Sequence, residues 1–69
     1  MENEMVALAW RHVIQGRAIV ERQKLRVRAL ADAGHSTENA ERMLSLFEST
    51  LEIFEKHLHD LTEGTDHTG

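Results

Sequence analysis

The chain has 69 residues, of which 41% are hydrophobic, and it carries no cysteine, no proline and a formal net charge of −4. So short a chain forms one small domain at most, and it needs disulfides, a metal or a partner to complete a stable core. The absence of cysteine excludes disulfides and thiolate metal sites, and it fits a cytoplasmic protein. The longest apolar run, Met5–Trp10, is far shorter than the ~20 residues that span a bilayer.

The first predicted element is a long helix over residues 3–33. Strong helix formers dominate this segment, and valine recurs every seven residues, which places all the valines on one stripe of the helix. The residues midway between the valines occupy the other core positions of that stripe. The combined set is Val6, Ala9, Val13, Gly16, Val20, Gln23, Val27 and Leu30.

A short turn is predicted at residues 34–36. Gly34 comes just after the last periodic residue, where a glycine can adopt the left-handed conformation without a steric penalty. Ser36 or Thr37 is the expected N-cap of a second helix over residues 37–62. Because the connection is so short, the two helices are expected to lie antiparallel and adjacent.

The fold class is therefore predicted as all-α: residues 1–62 form an antiparallel helical hairpin, and residues 63–69 form a flexible tail. In the second helix apolar residues recur at alternating steps of three and four, as in a coiled coil. This stripe consists of Ala40, Leu44, Phe47, Leu51, Phe54, Leu58 and Leu61.

Folding the chain about residue 35 brings together positions whose numbers sum to about 70. Gly16 then lies opposite Phe54, which gives this mid-helix glycine a steric reason. The same register predicts ion pairs between a basic first helix and an acidic second helix. The predicted pairs are Arg17 with Glu52 or Glu55, Lys24 with Glu48, and Arg28 with Glu41.

Apolar residues outside these two stripes predict an interface with another molecule. Met43, Leu46 and Ile53 widen the apolar surface of the second helix, and Ile14 and Leu25 lie off the valine stripe of the first. One antiparallel helix cannot cover all of them. The five residues are therefore predicted as a dimer interface in a four-helix bundle of two hairpins, with a different helical partner as the alternative.

Five histidines raise the question of a metal site. His12 is expected near His57 and Leu58, but a metal ion needs three or four converging ligands. His12 and His57 are therefore interpreted as rim residues of a helical interface, with a pH-sensitive assembly as a further hypothesis. No catalytic, cofactor-binding or metal-ligating residue is predicted, and the chain is interpreted as non-enzymatic.

The basic residues of the first helix suggest a second hypothesis, a small nucleic-acid-associated factor that uses Arg11, Arg22 and Arg26. Phosphate contacts need clustered basic side chains without nearby acids. The adjoining helix is acidic and the basic residues are scattered, so charge pairing within and between hairpins is the favoured interpretation. The main prediction is a helical interaction or regulatory protein.

Three segments, residues 16–23, 33–44 and 47–54, resemble those of a group of short, uncharacterised bacterial proteins. The shared features are a helix, a Gly-His turn and a second amphipathic helix, and the likeness covers most of the chain. The resemblance implies a free-standing two-helix protein, but it implies no activity, cofactor or site residue.

Overall fold

A computed structural model describes residues 3–63, and within this range all regular secondary structure is helical, without strands. Helix α1 is Glu4–Asp32 and helix α2 is Glu38–Glu63. The two helices pack against each other, which confirms the all-α prediction of paired helices. Glu63 still belongs to α2, and the rest of the predicted tail, 64–69, lies outside the described residues.

Helix α1 begins at a side-chain cap. Asn3 has an extended backbone, and its side-chain oxygen accepts hydrogen bonds from the backbone N–H groups of Met5 (3.0 Å) and Val6 (3.2 Å). These donors are among the four that every helix leaves unpaired at its start. Glu4 adds a negative charge in the first turn, where it complements the helix dipole.

Helix α1 ends in a glycine turn of the Schellman type. Gly34 has a φ of 78°, and its N–H donates to the Ala31 carbonyl at 3.0 Å. The next N–H, of His35, donates to the Leu30 carbonyl at 2.9 Å. Both bonds satisfy carbonyls at the helix end, and the left-handed residue between them is the glycine that the sequence predicts.

Two polar side chains stabilise the start of α2. The backbone N–H of Glu38 donates to Ser36 Oγ at 3.4 Å, and the Thr37 hydroxyl donates to the Glu41 carboxylate at 3.1 Å. Both Ser36 and Thr37, the two candidate N-caps, therefore form hydrogen bonds at this helix start.

The predicted stripes form the seam between the helices. Every member of the valine stripe and of the α2 stripe is buried or half-buried. The best-buried apolar residues are Ala9, Val13, Val20, Ala40 and Leu58. The hairpin is a single layer, since the Cα atoms extend over 55 × 20 × 11 Å. A layer this thin buries side chains only along the line where its helices meet.

Contacts across the seam establish the register. A Cβ on Gly16 would lie 3.1 Å from Leu51 Cδ1 and 3.5 Å from Phe54 Cδ2, which confirms the expected approach of Phe54 and adds Leu51. Arg17 pairs with Glu55 at 3.5 Å, one of its two predicted partners. Residues early in α1 contact residues late in α2, which shows that the helices are antiparallel.

Two other predicted pairs do not form ion pairs in the described residues, although Lys24 and Glu48 line the same groove. Lys24 Nζ contacts Glu21 of its own helix at 3.2 Å instead of Glu48, because a neighbour one turn away is reached at lower entropic cost. In the described part of the chain no ion pair joins Arg28 to Glu41, whose carboxylate accepts the Thr37 hydroxyl. Both predictions placed side chains by sequence register alone.

Candidate interaction face

The seam divides the remaining surface of the hairpin into two broad faces. Residues seven apart lie on one line along a helix, so each face is made of four such lines. We call one the apolar face. On α1 the line next to the seam is Met5, His12, Ile19 and Arg26, and the line beyond it is Leu8, Gln15, Arg22 and Ala29. On α2 the line next to the seam is Met43, Thr50 and His57, and the line beyond it is Asn39, Leu46, Ile53 and Asp60.

Two contacts across the seam show that these lines share one side of the layer. The His12 ring stacks on Phe54, with ring centroids 5.2 Å apart and planes 29° apart. Ile19 and Arg26 line a groove together with Phe47. Phe47 and Phe54 are half-buried members of the seam, so their rings extend the apolar surface between the two helices.

The opposite side of the layer is charged, and we call it the charged face. Arg17 and Glu55 form their ion pair there, and a groove on the same side is lined by further ionic side chains. The ionic residues of this groove are Arg17, Glu21, Lys24, Glu48, Glu52 and Glu55. In contrast, the charged residues on the lines of the apolar face are Arg22, Arg26 and Asp60.

The apolar face leaves large hydrophobic side chains in contact with solvent. Leu46 is 63% exposed and Ile53 is 66% exposed, although both lie in the middle of α2. Met5, Leu8, Ile19 and Met43 of the same face are also exposed. Scattered exposed hydrophobic residues are common, but a contiguous set on one face is typical of an interaction site.

The five residues predicted as a dimer interface do not all lie together. Met43, Leu46 and Ile53 share the apolar face. Ile14 follows the α1 line of Glu21 and Arg28 on the charged face, and Leu25 lies on the side of α1 opposite the seam. Ile14 is 60% exposed and Leu25 is 61% exposed. Because neither lies on the apolar face, no single flat partner covers them together with Leu46.

The α1 contribution to this face was missed in the sequence. Leu8 and Ile19 flank the valine stripe, and they lie on the same side of the layer as Leu46 and Ile53. Periodicity shows that they flank the stripe. Which flank of the α1 stripe lies on the same side as which flank of the α2 stripe depends on how the antiparallel helices meet. The available signal was that their heptad lines carry no acidic residue over 5–29.

The two histidines next to the seam, His12 and His57, lie on the same face. His12 contacts Phe54 through its ring, and His57 is exposed on the same face. Within residues 3–63 no group of three or more histidine, aspartate or glutamate side chains is placed to hold a metal ion.

The arginines proposed for nucleic-acid binding are divided between two regions. Arg22 and Arg26 line one groove with Ile19 and Phe47. Arg11 lies eleven residues before Arg22, about 17 Å along the axis at 1.5 Å per residue, beside Leu8 and Met5. The structure therefore brings two of the three together and separates the third.

Comparisons with protein-family models, curated proteins and solved structures find no match to this chain. The resemblance to short bacterial two-helix proteins consequently remains a prediction. In the described part of the chain, neither helix has the combination of length and hydropathy that a membrane-spanning helix requires.

Proposed function

We propose that this chain is a non-enzymatic helical interaction or regulatory protein that works as a homodimer, with two hairpins stacked through their apolar faces into a four-helix bundle. The observation that carries the proposal is the exposed set of Leu8, Ile19, Met43, Leu46 and Ile53 on one face. The burial of such side chains stabilises a protein by about 1.5–3 kcal/mol each, so their exposure favours association.

The shape of the hairpin supports a second layer. Stable domains pack at least two layers of secondary structure around a core, and this chain supplies one layer about 11 Å thick. A second hairpin on the apolar face would turn the half-buried Phe47 and Phe54 into core residues. This is the arrangement of a four-helix bundle.

The size of the face also fits a dimer. The shorter helix, α2, is ~39 Å long at 1.5 Å per residue, and the layer is 20 Å wide. The resulting footprint is about 800 Å² per molecule, the usual area that each partner contributes to a stable interface.

A copy of the same chain is the occupant that the chemistry favours. In a symmetric dimer the same patch faces itself, so the patch must not bring like charges together. The middle of the apolar face is uncharged at Ile19, Thr50 and Ile53. Its basic residues, Arg22 and Arg26, lie toward the turn, and Asp60 lies near the open end. The groove of the charged face carries four carboxylates against Arg17 and Lys24, so its net charge of −2 exceeds the +1 of the apolar face in magnitude and disfavours stacking on a second copy of itself.

The test is the mass of the protein in solution, measured by light scattering on the full chain and on the variants Leu46→Glu and Ile53→Glu. We expect the native chain to have twice the mass of one chain, and each variant to be monomeric because a carboxylate would be buried without a partner. Circular dichroism at 222 nm checks that the variants remain helical.

Ile14→Glu and Leu25→Glu are the matched controls, because both residues are as exposed as Leu46 but lie away from the apolar face. We expect both controls to remain dimeric. A native chain that is a stably helical monomer would refute the proposal. Dissociation by Ile14→Glu, but not by Leu46→Glu, would place the interface on the charged face instead.

A further inference from the structure

Two histidines lie on the apolar face, near the open end of the hairpin. His12 belongs to the α1 line of Met5 and Ile19, and His57 belongs to the α2 line of Met43 and Thr50. Both positions are next to the seam, so a second hairpin stacked on the face would cover them. Histidine is the side chain that gains a charge between about pH 8 and pH 5.

The packing of His12 shows that this part of the face is apolar. Its ring is half-buried and lies nearly flat on Phe54, at 5.2 Å between centroids. Within residues 3–63 its ring nitrogens form no hydrogen bond to α1 or α2, and because the ring is only half-buried they remain accessible to water in the free hairpin. A covering layer would remove that water, which penalises the charged form more than the neutral form.

The surrounding charges act in the same direction. On α1 the charged side chains on the lines of the face are Arg22 and Arg26, toward the turn. Glu4 and Arg11, of opposite charge, border the face beside Met5 and Leu8. On α2 the nearest carboxylate is Asp60, which Lys56 of the same helix already binds at 3.1 Å. With neutral histidines the face has a formal charge of +1, and protonation of both raises it to +3. Two such faces repel each other when they stack.

From this geometry we infer that protonation of His12 and His57 dissociates the dimer, so that self-association is switched by pH over the range in which histidines titrate. The inference rests on the proposed function, because it requires the apolar face to be the dimer interface. The contact of His12 with Phe54 is present in the free hairpin as well as in the dimer, so it does not reverse the effect.

The direction follows from linkage. If the dimer binds fewer protons than two free hairpins, the dissociation constant must rise as the pH falls. We therefore expect it to increase about tenfold or more between pH 7.5 and pH 5.5. Sedimentation equilibrium on the native chain at several pH values measures this change.

The matched variants separate the interface histidines from the others. His12→Gln/His57→Gln should lose most of the pH dependence, whatever its dissociation constant at pH 7.5. His35→Gln/His59→Gln should keep it, since His35 lies in the turn and His59 lies on the charged face. Helicity at 222 nm, followed over the same pH range, checks that dissociation is not unfolding.

These measurements distinguish failure of the pH inference from failure of the proposed dimer. A native dimer with the same dissociation constant at both pH values would overturn the inference and leave the proposed function in place. An equal pH dependence in the native chain and in His12→Gln/His57→Gln would also overturn it. A native chain that is monomeric at pH 7.5 would overturn both the inference and the proposed function.

Discussion

Gly16 has no side chain at the point where α1 faces two large residues of α2. A Cβ at this position would lie 3.1 Å from Leu51 Cδ1, a close contact, and 3.5 Å from Phe54 Cδ2, an ordinary one. A glycine inside a helix costs about 1 kcal/mol relative to alanine. Leu51 is only half-buried, and its methyl group can move by a few tenths of an ångström.

The effect of a substitution at Gly16 on stability should therefore depend on the size of the new side chain. We expect Gly16→Ala to be neutral or to stabilise the protein by up to about 1 kcal/mol, because the gain in helix propensity exceeds a small shift of Leu51. Gly16→Leu should destabilise it by about 1–3 kcal/mol, since a larger side chain forces the helices apart. Urea unfolding followed at 222 nm measures both, and equal stability of the two variants would contradict the explanation.

Gln23 is the buried polar side chain of the seam. Its Nε2 donates to the backbone carbonyl of Ala40 at 2.9 Å, so the amide is not left without a partner. The sequence places Gln23 on the valine stripe, but it does not predict this acceptor. The two residue numbers sum to 63 instead of about 70, because the long side chain reaches along the seam toward the turn. A bond of this kind favours one register of the helices over others.

At the scale of the elements, the helix ends are determined by local signals. Asn3 caps α1 through its own side chain, and Gly34 ends it with a φ of 78°. Both signals involve a few neighbouring residues, so they could be read from the sequence without knowledge of the tertiary structure. The same holds for the seam, because the steps of three, four and seven residues depend only on helix geometry.

The turn offers a test of this local explanation. Gly34→Ala should destabilise the hairpin by about 1 kcal/mol, because a side chain at positive φ is strained although nothing lies within 4 Å of its Cβ position. Gly34→Asn is the matched control, and we expect a smaller loss, since asparagine tolerates this conformation better. Thermal unfolding at one fixed concentration compares them; an alanine variant as stable as the native chain would show that the turn is not under this constraint.

The pairing of the faces could not be read in the same way. Periodicity places Leu8 and Ile19 on one flank of the α1 stripe and Ile14 on the other, but the two flanks look alike in a single helix. Only the contact of His12 with Phe54 and that of Arg17 with Glu55 show which flank of α1 shares a side with Leu46. For this reason the predicted interface combines α2 residues that share one face with two α1 residues, Ile14 and Leu25, that lie elsewhere.

At the scale of the whole molecule, the protein is elongated and has a small core. The radius of gyration of its Cα atoms is 16.1 Å, whereas a compact domain of this length has about 11 Å. In the described residues, Val13 is the one large side chain that is fully buried. A hairpin with so little buried surface is marginal alone, which is why association and folding are expected to be coupled.

Coupling of folding to association predicts a thermal midpoint that depends on protein concentration. For a dimer that unfolds to two chains, each tenfold increase in concentration adds about 1.4 kcal/mol to the free energy of unfolding. With the unfolding entropy of two such chains, the midpoint should rise by about 5 °C per tenfold increase. Circular dichroism between micromolar and millimolar concentrations measures this midpoint.

Two variants test the explanation. Leu46→Glu should unfold at a lower temperature, with a midpoint independent of concentration. Leu25→Glu should keep the native dependence, because Leu25 is equally exposed in the hairpin but lies away from the apolar face. A native midpoint that does not change over this range would mean that the single layer is stable alone, and the exposure of Leu46 and Ile53 would then need another explanation.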